Sequence, residues 1–270
     1  MTLQAVQELL EPVIRIAYAA GEAIMAIYCT EFGVHGKADA TPVTEADVRA
    51  EALIVAGLRA LSPNLPIVAE EAAAAGNIPS VGGRFWLVDP LDGTKEFISR
   101  NGEFTVNIAL VQDGVPVLGV VLAPALKRLY AGVLGSGALL EDALGRRRVR
   151  CREVPPEGLT VVGSRSHGDA AALDLFLAGR KVAASVSAGS SLKLCMVAAG
   201  EADMYPRLGR TMEWDIAAGH AVLLAAGGGV TDLAGSPLRY GKPGFDNPHF
   251  VASGSPEPTP HTASLATVGS

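Results

Sequence analysis

The apolar positions of the N-terminal segment follow the spacing of an amphipathic helix. Between residues 3 and 28 they recur every three or four positions. They are Leu3, Val6, Leu9, Leu10, Val13, Ile14, Ala17, Ala20, Ile24 and Ile27. Such a stripe predicts a helix over residues 3–28 with one face in the core. A second helix is predicted around Leu53, Ile54, Leu58 and Leu61.

Short β-prone runs separated by tight turns follow these helices. The runs are 65–69, 84–89, 104–111, 115–122 and 129–134, and Gln112-Asp113-Gly114 has the composition of a hairpin turn. Strands joined by short turns favour an antiparallel meander.

The second half alternates between the two patterns. Strands are predicted at 159–163, 181–186 and 202–205, and helices at 170–177, from 192 through 199, and at 211–228. After Thr231-Asp232 the chain is expected to be loop-like, and 253–270 reads as a disordered Pro- and Ser/Thr-rich tail. The chain is therefore divided into an α+β half over about 1–150, an α/β half over 151–252, and the tail.

Composition and charge narrow the classes of function. The chain has 270 residues, of which 49% are hydrophobic and 19% charged, with a net charge of −6. This is typical of a globular protein and disfavours a surface for nucleic-acid polymers, which bind through clustered Lys and Arg. The three cysteines are too widely spaced for a zinc site, and their number argues against a disulfide framework.

Targeting signals are not evident in the sequence. Glu8, Glu11 and Arg15 interrupt the N-terminal apolar residues, so a secretory leader is not expected. No uncharged apolar stretch is long enough to span a bilayer. We expect a cytoplasmic protein without a transmembrane segment.

The stretch Arg84 to Phe97 carries the strongest candidate chemistry. An apolar, aromatic run leads to Asp89-Pro90-Leu91-Asp92-Gly93-Thr94. Two carboxylates so close repel each other unless a cation lies between them, and magnesium prefers carboxylates, waters and phosphate oxygens. A metal-assisted phosphate site is one interpretation. A plain surface turn shaped by Asp, Pro and Gly is the other.

The other acidic positions also allow two interpretations. Thr44 and Asp47 resemble a helix capping box, Glu70 and Glu71 could be a solvated loop pair, and Asp215 in the first turn of a helix would be favoured by the helix dipole alone. Any of them could equally supply a cation ligand.

Basic and glycine-rich segments are interpreted more simply. Taken individually, His167 reads as structural and Lys193 as a solvated helix charge, and Arg146 to Arg148 read as a solvated edge near a strand. Gly135-Ser136-Gly137 is too short for a dinucleotide fingerprint, and no Walker-type loop is present.

Taken together, the acidic motifs resemble those of a known family. Glu70-Glu71, then Asp89-Pro90-Leu91-Asp92-Gly93-Thr94, then Trp214-Asp215 with an Ala-rich helix and Gly227-Gly228 stand in the order found in the magnesium-dependent, lithium-sensitive phosphatases related to inositol monophosphatase. The resemblance covers nearly the whole chain except the tail.

Further motifs resemble one branch of that family, the bacterial 3′(2′),5′-bisphosphate nucleotidases. They are Asp92 to Phe97, Asn101 to Leu110, Ser164-Arg165-Ser166-His167 and Gly189-Ser190-Ser191-Leu192-Lys193. Ala69 departs from the Ser that this branch commonly has before the Glu pair, which leaves the Glu ligand intact.

The resemblance implies a set of site residues. Glu70, Asp89 and the Leu91 carbonyl would hold one magnesium ion, and Asp89, Asp92 and Asp215 a second. Glu70, Thr94 and Asp47 would orient or deprotonate the attacking water. Substrate contacts are implied for Glu70, Asp92, Gly93, Thr94, Lys95, His167, Ser190, Lys193, Arg207 and Asp215.

The resemblance also implies a fold and an activity. The expected fold is a layered αβαβα sandwich, with residues 1–252 forming a single phosphatase domain. The expected reaction, with two or three magnesium ions, is hydrolysis of the 3′-phosphate of adenosine 3′,5′-bisphosphate to AMP in support of sulfate assimilation, by a monomer or homodimer. An inositol or sugar monophosphatase and a catalytically silent nucleotide-binding protein are the alternatives.

Overall fold

A computed structural model describes residues 1–30, 41–165 and 170–254. The helices are α1 (Leu3–Tyr28), α2 (Thr41–Leu61), α3 (Glu70–Ala74), α4 (Thr94–Ile98), α5 (Ala170–Leu177), α6 (Leu192–Ala198) and α7 (Glu213–Ala225). The strands are β1 (Ile67–Ala69), β2 (Arg84–Asp92), β3 (Thr105–Gln112), β4 (Val115–Ala123), β5 (Arg128–Val133), β6 (Gly137–Asp142), β7 (Gly145–Val149), β8 (Leu159–Ser164), β9 (Val182–Ala188), β10 (Met204–Arg207), β11 (Gly229–Asp232) and β12 (Phe250–Ser253). One 3-10 turn spans Pro243–Phe245.

The strands form two sheets. The first has seven strands in sequence order from β1 to β7, antiparallel throughout except for the parallel β1–β2 pair. The predicted meander is confirmed, and its first hairpin turns at Asp113 and Gly114, which both have positive φ (53° and 76°). The second sheet has the order β11-β12-β10-β8-β9.

The helices and sheets alternate in five layers, as predicted. The paired helices α1 and α2 cover one face of the first sheet, and α7 covers the other face. The helix α6 packs on α7 and on strands of the second sheet, while Phe176 and Leu177 of α5 pack on a small core at that sheet. In the described part of the chain, no helix combines the length and the apolar character needed to cross a membrane.

Both faces of the central strands β2 to β5 are buried, which explains why these strands lack a polar side. Along β3, Val106, Ile108 and Leu110 pack toward α1 and α2, whereas Ala109 and Val111 pack toward α7. Side chains alternate between the faces of a strand, so each apolar run serves two separate cores.

The structure corrects several element predictions. The helix α2 begins at Thr41, so Thr44 and Asp47 lie inside it and do not form its cap. The strands β6, β7, β11 and β12 were not predicted. The strands β11 and β12 have four residues each, and they are held by the pairing of β12 with β11 and β10, which no local pattern records. The tail after residue 254 lies outside the described residues.

The helix α7 lies close against the first sheet because small residues face each other. Gly119 and Gly132 are paired across β4 and β5. A Cβ added at Gly119 would come within 2.2 Å of the Ala218 carbonyl oxygen, and one at Gly132 within 2.8 Å of the Ala225 Cβ. This close packing fixes the position of α7 and of the residues at its N-terminus.

We therefore expect Gly119→Ala to lower the free energy of unfolding by about 1–3 kcal/mol, the usual cost of overpacking a tight core. Chemical denaturation measures it. The matched control is Gly229→Ala in β11, where an added Cβ meets nothing within 4 Å. Equal stability of the two variants would show that α7 can move away from the sheet without cost.

Candidate active site

One cavity of about 400 Å³ collects most of the predicted site residues. It is lined by side chains from the end of β2, from α4, from the loop before α6, from β10 and from the N-terminus of α7. The lining residues are Glu70, Asp89, Leu91, Asp92, Gly93, Thr94, Lys95, Glu96, Ser164, Ser190, Ser191, Lys193, Tyr205, Arg207, Arg210, Thr211, Asp215 and Ile216.

The strand β2 brings the two aspartates to this cavity. Phe85 and Leu87 point to the α7 side of the sheet, so alternation places Asp89 on that side as well. The pairing of β2 with β3 then shifts register between Asp89 and Asp92. The Asp89 Oδ1 accepts the Leu91 backbone N–H at 3.0 Å, which holds the turn together.

Gly93 ends this turn in a conformation and a space that suit only glycine. Its φ is +94°, in the left-handed region that disfavours side chains. A Cβ there would come within 3.3 Å of both the Phe104 Cα and the Ser190 Cβ. The glycine thus lets Thr94 start α4 at the cavity wall.

Asp215 reaches the cavity from the other side, in the first turn of α7. Its Oδ2 accepts the Met212 backbone N–H at 2.8 Å. The neighbouring Glu213 is fully buried and accepts the N–H groups of Gly241 and Lys242 at 2.7 and 2.9 Å, and the Lys242 Nζ at 2.6 Å. These bonds anchor the start of α7 to the loop after residue 238.

The acids of the cavity are difficult to ionise together. Burial, followed by the charge of Asp215, raises the pKa of Asp92 to about 7, and burial raises the pKa of Asp215 to about 7. Burial and the charge of Glu70 raise the pKa of Asp89. Burial also raises the pKa of Glu70, although the hydrogen bond that its carboxylate accepts from Asp89 offsets part of that effect. The excess negative charge calls for a cation.

The donor set fits a hard divalent cation. It consists of the carboxylates of Glu70, Asp89, Asp92 and Asp215 in one cavity with Leu91, whose carbonyl is a further oxygen donor. Among residues 1–30, 41–165 and 170–254, no three His, Cys, Asp or Glu side chains form a group that could hold an ion as they stand. Magnesium is usually held by one or two carboxylates together with waters and phosphate oxygens, so pairs of these acids suffice for an ion.

Asp47 lies behind the cavity wall and does not line it. It is buried within α2, and burial followed by the charges of Glu71, Glu70 and Glu51 raises its pKa to about 8. Glu51 of the same helix accepts the backbone N–H groups of Glu71 and Ala72 at 2.9 and 3.1 Å. The helix α2 thus holds the segment that carries Glu70.

Cationic side chains line the cavity beside the acids. The prediction that Lys193 is a solvated helix charge is wrong, because only 4% of the residue is exposed. Its Nζ donates to the carbonyl oxygens of Ser190 and Ala188 and lies 5.3 Å from the centre of the Tyr205 ring. Burial lowers its pKa to about 8, although the charge of Asp92 works the other way. Arg207 and Arg210 line the same cavity.

The remaining predicted residues divide into two groups. Gly93, Thr94, Lys95 and Ser190 line the cavity, whereas His167 lies outside the described residues. Seven lining residues were not predicted, namely Glu96, Ser164, Ser191, Tyr205, Arg210, Thr211 and Ile216. Glu96, Ser164 and Ser191 stand inside motifs noted in the sequence, which is a usable signal. Arg210 reaches the site only through the fold.

Comparison with known protein families and curated proteins gives consistent matches. Residues 5–266 match the model of the inositol monophosphatase family. The chain is 47% identical over 248 residues to the 3′(2′),5′-bisphosphate nucleotidase CysQ of Escherichia coli K12, covering 91% of this chain and 99% of that protein. It is 40% identical to the CysQ of Buchnera aphidicola over 92% of this chain and 94% of that protein.

Solved structures agree with these matches. The crystal structure of CysQ from Bacteroides thetaiotaomicron superposes with a TM-score of 0.78 at 40% identity, covering 90% of this chain and 96% of the other. The inositol monophosphatase of Anabaena superposes with a TM-score of 0.72 at 26% identity, covering 94% and 92%.

The raised carboxylate pKa values predict how stability depends on pH without metal. A carboxylate with a higher pKa in the folded state stabilises the fold below its unfolded pKa, and this is lost as pH rises through the folded pKa. With folded pKa values of about 7 for Asp92 and Asp215 and about 8 for Asp47, Tm in a chelator should fall from pH 6.5 to 8. Magnesium should reduce that fall.

Two other shifted groups oppose this fall. Burial lowers the pKa of His220 to about 3 from 6.5, so its contribution to stability rises until the unfolded imidazole is neutral, and only a small part of that rise lies above pH 6.5. The pKa of Lys193 is lowered to about 8, and Lys193 contributes mainly above pH 8. Asp47→Asn should weaken the fall in Tm, whereas Asp174→Asn, at an exposed carboxylate of α5, should not. A Tm that rises with pH in the chelator would contradict the electrostatic account.

Proposed function

The chain belongs to the inositol monophosphatase family, and we propose that within it the protein is a 3′(2′),5′-bisphosphate nucleotidase that converts adenosine 3′,5′-bisphosphate to AMP and phosphate. The family resemblance predicted from the motifs is confirmed. One observation carries the proposal: a single cavity holds a cluster of acids beside a set of cations. A substrate with two phosphates matches both.

The acid cluster is the proposed site of phosphate cleavage. Glu70, Asp89 and the Leu91 carbonyl would hold one magnesium ion, and Asp89, Asp92 and Asp215 a second. When bound, two such ions activate the attacking water and stabilise the charge that develops on the leaving oxygen. The high pKa values of these acids support the assignment, because a cation would remove the cost of ionising them together.

The chain's own groups would orient the water and the scissile phosphate. Glu70 and Thr94 line the cavity together with Asp89 and can accept hydrogen bonds from a water molecule. Asp47 does not line the cavity, and its pKa is raised to about 8. It would therefore hold a proton near Glu70 at neutral pH. The backbone and side chains of Gly93, Thr94 and Lys95 would donate to the phosphate.

The cations of the cavity form the proposed site for the rest of the nucleotide. Lys193 and Arg207 would face the retained phosphate, with Ser190 as a neutral donor, and His167 is proposed as a further contact. Burial of Lys193 removes competing water, which strengthens its attraction for an anion. A substrate with one phosphate would leave these cations without a partner.

The proposed cellular role is removal of this nucleotide as a by-product of sulfate assimilation. An inositol or sugar monophosphatase remains the alternative enzyme, because the acid cluster alone would suit either substrate. A catalytically silent nucleotide-binding protein is less well supported, since Glu70, Asp89, Asp92 and Asp215 are all present.

A substrate panel tests the proposal directly. We expect kcat/KM for adenosine 3′,5′-bisphosphate to exceed that for inositol 1-phosphate by about a hundredfold or more, because only the nucleotide pairs the buried cation. Released phosphate is measured with magnesium and with a chelator. A preference for inositol 1-phosphate would reject the nucleotidase assignment, and no turnover of either would favour the silent alternative.

The metal assignment is tested by Asp89→Asn. The substitution keeps the shape of the shared ligand but removes its charge. Loss of a residue that only orients a metal ligand typically costs about 10–100-fold in activity. Magnesium-dependent turnover of Asp89→Asn should therefore fall by more than that. The control is Asp113→Asn, in the hairpin turn between β3 and β4. Near-normal activity of Asp89→Asn would contradict the two-metal assignment.

A further inference from the structure

Glu103 connects the two sheets next to the cavity, although it does not line the cavity itself. It lies between α4 and β3, in the part of the chain that forms the first sheet. Its Oε2 accepts the Gly189 backbone N–H at 2.7 Å, and its backbone carbonyl accepts the Ser190 Oγ at 2.8 Å. Both partners belong to the loop that follows β9 of the second sheet.

The loop that Glu103 holds adopts a conformation that it would not favour alone. Ser190 has a φ of +45°, in the left-handed region that is disfavoured for a residue with a side chain. A Cβ added at Gly189 would come within 2.5 Å of the Glu96 Cγ and 2.9 Å of the Glu103 carbonyl oxygen. Such a conformation persists only where surrounding contacts maintain it, and Glu103 supplies two of them.

This loop conformation determines where Lys193 can place its ammonium group. The Lys193 Nζ donates to the carbonyl oxygens of Ser190 and Ala188, which lie on either side of Gly189. A rotation of the loop would move both acceptors. The chain of contacts therefore runs from Glu103 to residues 189 and 190, and from these to the buried cation at the cavity wall.

The next residue of the loop is held separately. The Ser191 Oγ donates to the Asn107 Oδ1 at 2.6 Å and lies 2.9 Å from the Thr105 Oγ1, both on β3. Because these bonds keep Ser191 and α6 attached to the first sheet, a substitution of Glu103 should change the loop only locally, at residues 189 and 190.

We propose that Glu103 is a positioning residue for substrate binding, which holds residues 189 and 190 so that Ser190 and Lys193 face the nucleotide. This inference rests on the proposed function for its substrate. It assigns to Glu103 an effect on binding of the nucleotide, and not on the carboxylates that would hold metal.

A carboxylate is suited to this position because it accepts several donors at once. Besides Gly189, the Glu103 carboxylate accepts the Arg165 Nε at 3.0 Å and the Arg165 Nη2 at 2.8 Å. Glutamine offers one acceptor oxygen in place of two, so it could keep the Gly189 bond and would lose part of the pairing with Arg165. The two roles of Glu103 can thus be separated by substitution.

Three variants test the proposal. Glu103→Ala should raise KM for adenosine 3′,5′-bisphosphate by about tenfold or more with a smaller change in kcat, because a charge-assisted bond that maintains the loop is lost. Glu103→Gln should restore much of the loss. Arg165→Gln should change KM by about threefold or less, because the Arg165 side chain is 46% exposed and its ion pair is weak.

Two further measurements separate positioning from a general structural effect. The magnesium concentration for half-maximal activity should be unchanged in Glu103→Ala. Amide hydrogen exchange should lose protection at Gly189 but not at Thr105 to Gln112 of β3. An unchanged KM, an unchanged Gly189 exchange rate, or an equal KM increase in Arg165→Gln would overturn the inference.

The tests also distinguish the failure of this inference from the failure of the proposed function. If the wild-type protein does not hydrolyse adenosine 3′,5′-bisphosphate, the proposed function fails, and the KM comparison is made on the phosphate ester that it does hydrolyse. The Gly189 exchange measurement needs no substrate. Loss of Gly189 protection with a raised KM on that ester would support Glu103 as a positioning residue.

Discussion

Mutual repulsion among buried carboxylates is the constraint on which the rest of the site depends. Asp89, Asp92, Asp215 and Glu70 share one cavity, and burial raises the pKa of each. A protein cannot keep such a group ionised at neutral pH without a compensating cation. The buried Lys193 offsets only part of this negative charge. Its charge lowers the pKa of Asp92, and the charge of Asp92 in turn raises the pKa of Lys193.

Holding these charges together requires a rigid scaffold, and the packing of α7 supplies it. The helix lies between the two sheets, and the paired glycines of β4 and β5 let its Ala-rich face approach the first sheet closely. Glu213 then ties the start of the helix to the loop around Lys242. Asp215 is presented to Asp92 because the helix cannot shift along the sheet without steric conflict.

The site also depends on contacts between the two sheets. The first sheet contributes Asp89 and Asp92, and the second contributes Arg207 and the loop that positions Lys193. The bonds from Glu103 to that loop cross from one sheet to the other. The meeting of acids and cations in one cavity is therefore a property of the assembled layers, and neither sheet has it alone.

Local spacing and residue chemistry were enough to predict the helices with long stripes, the meander and the motifs that carry the acids. They did not show that Lys193 is buried, that Asp47 lies within α2 and outside the cavity, or that Arg210 reaches the cavity. The short strands β11 and β12 were also missed. Each of these features depends on which distant segment packs against the residue. Burial, strand pairing and pKa follow from that neighbour, so they are visible only in the folded chain.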